Sequence, residues 1–118
     1  MNGDEEQLDG IMKAAISTHI GRDVQWRTRR RIRKLAKGAV GEFPSASPKE
    51  LKEIVIGRFR AWAKEHDQLT DSGEYVDVKQ SVICSADLLY SKVPWVLLIE
   101  LIVLAIKWYL SRREWVSE

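Results

Sequence analysis

Pro94-Trp95-Val96-Leu97-Leu98-Ile99-Glu100-Leu101-Ile102-Val103-Leu104-Ala105-Ile106-Lys107-Trp108-Tyr109-Leu110 is the most apolar run in the chain. A helix of this composition must leave water for a core, an interface or a bilayer, since each buried methylene contributes about 0.8 kcal/mol. Its only interior charges, Glu100 and Lys107, stand seven residues apart, nearly two turns, and so share one side. Ser111 and Glu114 extend that side into a polar edge roughly 60° wide. Burial is expected everywhere else. The run predicts a helix from Pro94 to Trp115, lying centrally in a small bundle.

The same run has features of a membrane anchor. About 17 residues reach roughly 25 Å, close to a thin hydrocarbon core. Trp95 at one end and Trp108-Tyr109 at the other resemble interfacial belts, with Lys92, Arg112 and Arg113 beyond them. Glu100 weighs against insertion, because a charge near the bilayer centre costs roughly 2.5–3.5 kcal/mol and its side chain is too short to snorkel. The expectation is a soluble core or an oligomer interface, using Trp95, Leu98, Glu100, Leu101, Ile102, Lys107 and Trp108, with a membrane anchor as the alternative.

Upstream, three helices are expected. Leu8, Ile11, Met12, Ala15, Ile16, His19 and Ile20 recur at spacings of three and four, with Asp4, Glu5, Glu6 and Asp9 at the dipole-positive start and Gly21 as the stop. Asp23 reads as the N-cap of a second helix ending near Gly38, with a loop from Gly38 to Ser45. Ser47-Pro48-Lys49-Glu50 is a capping box with Pro at the first helical position, followed by the stripe Leu51, Val55, Phe59, Trp62, Ala63 and His66. Thr70-Asp71-Ser72-Gly73 is a turn. From Tyr75 to Ser91, Val78, Val82, Ala86 and Leu89 suit a helix capped near Asp77, whereas Tyr75-Val76-Asp77-Val78 suits a short strand. Pro94 sets a break at Val93. The expected fold is all-α: four to five helices, with residues 1–91 an amphipathic helical region and 92–118 the apolar helix and tail, packed as one domain.

Charge is distributed unevenly. Between Arg22 and Lys37 stand eight basic residues and one acid, a local +7, so the chain's formal +2 leaves −5 for everything else. On a helical wheel Val24, Thr28, Ile32, Leu35, Ala36 and Ala39 take one arc. Arg27, Arg29, Arg30, Arg31, Arg33, Lys34 and Lys37 take the opposite arc, together with Trp26. These eight residues are the candidate anion-binding site. Guanidinium groups along a helix meet successive phosphates, and Trp26 can stack on a base or lie among anionic headgroups. Nucleic acid and anionic lipid are therefore both candidate partners, and the choice between them turns on whether the C-terminal helix enters a bilayer. A helix-turn-helix reader is disfavoured, because the outer face lacks the short polar residues that read base edges.

Enzymatic chemistry is not expected. No phosphate loop, nucleophile elbow or zinc-protease motif occurs. His19 and His66 sit on helical stripes, where a hydrogen-bonded structural role is the ordinary one. Glu65-His66-Asp67 point in different directions on a helix and cannot converge on one metal. Cys84 is the only cysteine, which excludes an intrachain disulfide, and it reads as a small packed hydrophobe. No cofactor is expected. Met1 to Leu8 is acidic and lacks the apolar core of a secretory signal, so an intracellular, cytoplasmic location is expected, with membrane association through the C-terminal helix as the alternative. Together these features predict a non-enzymatic assembly or adaptor protein, with a membrane-anchored protein and a nucleic-acid-binding regulator as alternatives.

Overall fold

Ser47 begins the helix that the sequence marks most clearly. In a computed structural model describing residues 3–19, 23–79 and 89–116, its hydroxyl accepts from the Glu50 N–H while the Glu50 carboxylate accepts from the Ser47 N–H. Both halves of the capping box are formed. Helix α3 then runs Pro48–Glu65 and buries Leu51, Val55, Phe59, Trp62 and Ala63. It is preceded by α1 (Gly3–Ser17) and α2 (Trp26–Glu42), and followed by strands β1 (Tyr75–Lys79) and β2 (Leu89–Val93) and helix α4 (Trp95–Val116). The all-α bundle expected from sequence is the observed fold, with one antiparallel hairpin inserted between α3 and α4.

Helix α4 lays one side against the other three helices. Leu97, Leu98, Leu101, Ile102, Ala105 and Ile106 are buried among side chains of α1, α2 and α3. Its wet edge falls where the sequence places it: Lys107 and Ser111 are exposed and the Glu100 side chain is 42% exposed. Val96, 74% exposed, lies on the same side one turn before Glu100. Glu114 lies among the residues whose side chains are not described. Among the described residues no helix is long and apolar enough to cross a membrane.

Several expectations need correction. A fifth helix over 77–91 is not formed at either end, because Val78 lies in β1 and Leu89 in β2; Val82, Cys84 and Ala86 fall outside the described residues. The strand reading of Tyr75–Val78 holds. Its physical reason is that Tyr75 and Asp77 both point at α2: alternation puts i and i+2 on one face of a strand, whereas a helix would turn them roughly 200° apart. Tyr75 pairs with Val93 and Asp77 with Ser91 across the hairpin.

Helix α2 also differs from expectation. It runs through Gly38 and Gly41 to Glu42, although each interior glycine costs about 1 kcal/mol. Burial of Ala39 and Val40 offsets that cost, and the helix ends only at Phe43, which precedes Pro44. The N-cap is Gln25, not Asp23. Helix α1 ends at Ser17, so His19 follows the helix instead of lying on its stripe; Ile20 and Gly21 are outside the described residues. From there His19 Nε2 lies 3.4 Å from Glu100 Oε1.

A half-exposed pair at this distance contributes little. Glu100→Leu should therefore change the unfolding free energy in urea by less than about 1 kcal/mol. Leu101→Ala, in the core, should cost about 2–5 kcal/mol. A loss of several kcal/mol from Glu100→Leu would overturn the solvent-edge assignment.

Candidate anion-binding face

Gln25 caps α2 without using its side chain, so the helix start needs an acceptor from elsewhere. Asp77 of β1 supplies it. Its Oδ2 accepts from the Gln25 N–H at 2.6 Å and its Oδ1 from the Thr28 hydroxyl at 2.5 Å. Because Thr28 has one proton and gives it to Asp77, the Tyr75 hydroxyl, 2.7 Å away, donates to Thr28. Gln68 Nε2 donates in turn to Tyr75 at 2.9 Å. The four residues form a buried chain, Gln68 to Tyr75 to Thr28 to Asp77, running toward one carboxylate at the positive end of the α2 dipole. Burial pushes the Tyr75 phenol well above its ordinary range, so it stays a donor throughout the physiological range. This network sets the position and direction of α2. From sequence Asp77 reads only as a local cap; the signal for its tertiary role is the i, i+2 pairing of a phenol with a carboxylate in a strand.

The arginines of α2 then divide into two groups. Arg29 and Arg33 are only 7% exposed, contrary to their assignment to the solvent arc. They sit roughly 60° and 100° from Ile32 around the helix, at the margin of the apolar stripe, where α1 covers them. Asp9 of α1 receives both: Arg29 Nε at 2.8 Å and Arg33 Nη1 at 2.5 Å, while Arg29 Nη1 also donates to the Val24 carbonyl at 2.7 Å. Burial alone pushes the Asp9 carboxyl up, but the Arg29 hydrogen bond and the charges of Arg29, Arg33 and Lys13 together hold it below the ordinary aspartate range. These two arginines belong to the fold.

The remaining members of the predicted site share the outer face. Trp26, Arg27, Arg30, Arg31 and Lys34 line a shallow groove of about 150 Å³. Trp26 is 55% exposed, the most exposed aromatic among the described residues, with the Arg30 guanidinium 5.3 Å from its ring centroid. Arg31 and Arg27 lie 5.2 and 6.0 Å from the Trp62 ring of α3, which fixes their planar heads by cation–π contact without neutralising them. No carboxylate among the described residues pairs with Arg27, Arg30, Arg31 or Lys34. Lys37, one turn on, is 3.9 Å from Glu5, both side chains being well exposed.

The predicted interface on the C-terminal helix is not presented outward as a whole. Leu98, Leu101 and Ile102 are fully buried within the chain's own core, because α1, α2 and α3 already cover that side of α4. Trp95 is half-buried, donating to the Gly73 carbonyl at 2.8 Å under the Arg60 guanidinium. Trp108 is half-buried beneath Arg112, and Glu100 and Lys107 lie on the wet edge. His66 ends α3, with Nδ1 2.9 Å from the Trp62 carbonyl. Among the described residues no three His, Cys, Asp or Glu side chains stand together as metal ligands do. Compared with family models, curated proteins and solved structures, the chain matches none of them.

Removing the Asp9 charge leaves two covered arginines without their acceptor. Asp9→Asn should lower the unfolding free energy at neutral pH by roughly 3 kcal/mol. Since the folded carboxyl lies below its ordinary value of 3.8, its contribution is present above that pH and lost as pH falls through the lower folded value. The gap between wild type and Asp9→Asn should accordingly close in acid. A gap that persists undiminished there would contradict the assignment.

Proposed function

We propose that the protein is a non-enzymatic helical adaptor that docks the outer face of α2 on a phosphate-bearing polyanion. The observation carrying this reading is the set of four cations, Arg27, Arg30, Arg31 and Lys34, without carboxylate partners among the described residues, on a helix whose other two arginines are consumed internally. Cations at i and i+4, such as Arg30 and Lys34 or Arg27 and Arg31, stand about 6 Å apart along the helix and can engage neighbouring phosphates of one chain. Holding Arg27 and Arg31 against Trp62 lowers the entropy lost on binding. Helix α4 serves this function indirectly, as the core on which α2 is seated.

Inorganic polyphosphate presents repeated phosphates without bases or acyl chains, and so tests the charge alone. Arg30→Glu with Lys34→Glu should weaken its binding at least ten-fold and flatten the salt dependence. Lys49→Glu with Lys107→Glu, the same change in net charge on other surfaces, should alter binding by less than about three-fold. Equal effects of the two double variants would refute a defined docking face.

A further inference from the structure

We infer that the polyanion is a single-stranded nucleic acid, held by its phosphates on the α2 cations and by an unpaired base stacked on Trp26. This rests on the docking reading above and adds the identity of the partner. Trp26 occupies the first turn of α2 yet is 55% exposed, and its one described ring contact is Arg30. An indole left in water at the mouth of a cationic groove is a stacking platform: every base offers it a π-face, and a neighbouring guanidinium adds cation–π attraction. The groove joins Trp26 to Arg27, Arg30, Arg31 and Lys34, so base and backbone contacts are contiguous.

The alternatives fit less well. In a duplex the bases are already stacked on one another, and Trp26 would gain nothing from them. Reading base edges in the major groove calls for short polar side chains, and apart from Trp26 the groove is lined by Arg and Lys alone. A helix lying on a bilayer buries an apolar face among the acyl chains. The apolar side of α2, with Ile32, Ala36, Ala39 and Val40, is instead fully used against the rest of the chain, and Trp26 alone remains for lipid. Contacts of this kind favour binding that is tolerant of base sequence.

Fluorescence anisotropy with the full chain separates these readings. The probes are a labelled oligothymidylate, a duplex of equal length, and vesicles of phosphatidylserine and phosphatidylcholine. Trp26→Ala should weaken binding to the single strand about ten-fold, within the range seen when a stacking aromatic is removed, while changing duplex binding less than two-fold. Trp26→Phe should restore part of the loss, and the salt slope should be the same in all three proteins. Far-UV circular dichroism and melting of Trp26→Ala should match wild type, because the side chain lies outside the core. If Trp26→Ala leaves single-strand binding unchanged, or weakens strand and duplex equally, the stacking inference is wrong. Tighter binding to the vesicles than to the oligonucleotide overturns it in favour of lipid. In each of those cases Arg30→Glu with Lys34→Glu still reports separately on docking, which fails if that variant binds polyphosphate like wild type or no more weakly than Lys49→Glu with Lys107→Glu.

Discussion

A helix that is apolar around most of its circumference needs neighbours, and α4 obtains them from α1, α2 and α3 along the side that carries Leu97, Leu98, Leu101, Ile102, Ala105 and Ile106. That demand arranges the molecule. It draws the apolar stripe of α2 inward and so turns the opposite, cationic side to solvent. It leaves α4 with an outer edge on which Glu100, Lys107 and Ser111 reach solvent. The two strands lie between the end of α3 at Glu65 and the start of α4 at Trp95, and they add Tyr75 and Val93 to the core.

The electrostatics follow the same division. One carboxylate, Asp9, serves two arginines spaced i and i+4, so α1 neutralises the inner flank of α2, while no carboxylate among the described residues pairs with Arg27, Arg30, Arg31 or Lys34 on the outer flank. At the surface Glu5 of α1 meets Lys37, one turn beyond Arg33. The cationic face proposed for docking is thus a consequence of where α1 can pack. Its aromatic members belong to two helices: Trp26 opens α2, and Trp62, from α3, supports Arg27 and Arg31 from below.

Much of this was legible in the sequence because it depended on local rules. The Ser47–Glu50 capping box and the Glu100–Lys107–Ser111 edge each express one element's own periodicity or cap, and each appears where expected. What escaped depended on partners distant along the chain. The start of α2 is capped by Asp77, 52 residues beyond Gln25, so no N-cap residue needed to mark it. Arg29 and Arg33 looked like solvent residues because guanidinium groups seldom enter a core unpaired; Asp9, 20 and 24 residues away, supplies the pairing. Gly38 and Gly41 suggested a loop, yet buried Ala39 and Val40 hold them in a helix. The outer half of the candidate site was visible from composition alone, and only the fold separates it from the inner half.

Arginine-selective footprinting tests that separation most directly. The intact protein would be modified with phenylglyoxal, with and without polyphosphate, and the extent at each arginine read by mass spectrometry. Arg30 and Arg27 should be modified rapidly and slowed by polyphosphate, whereas Arg29 and Arg33 should be modified slowly in both conditions. Modification of Arg29 and Arg33 at the rate of Arg30, or no protection of Arg27 and Arg30 by polyphosphate, would contradict that separation.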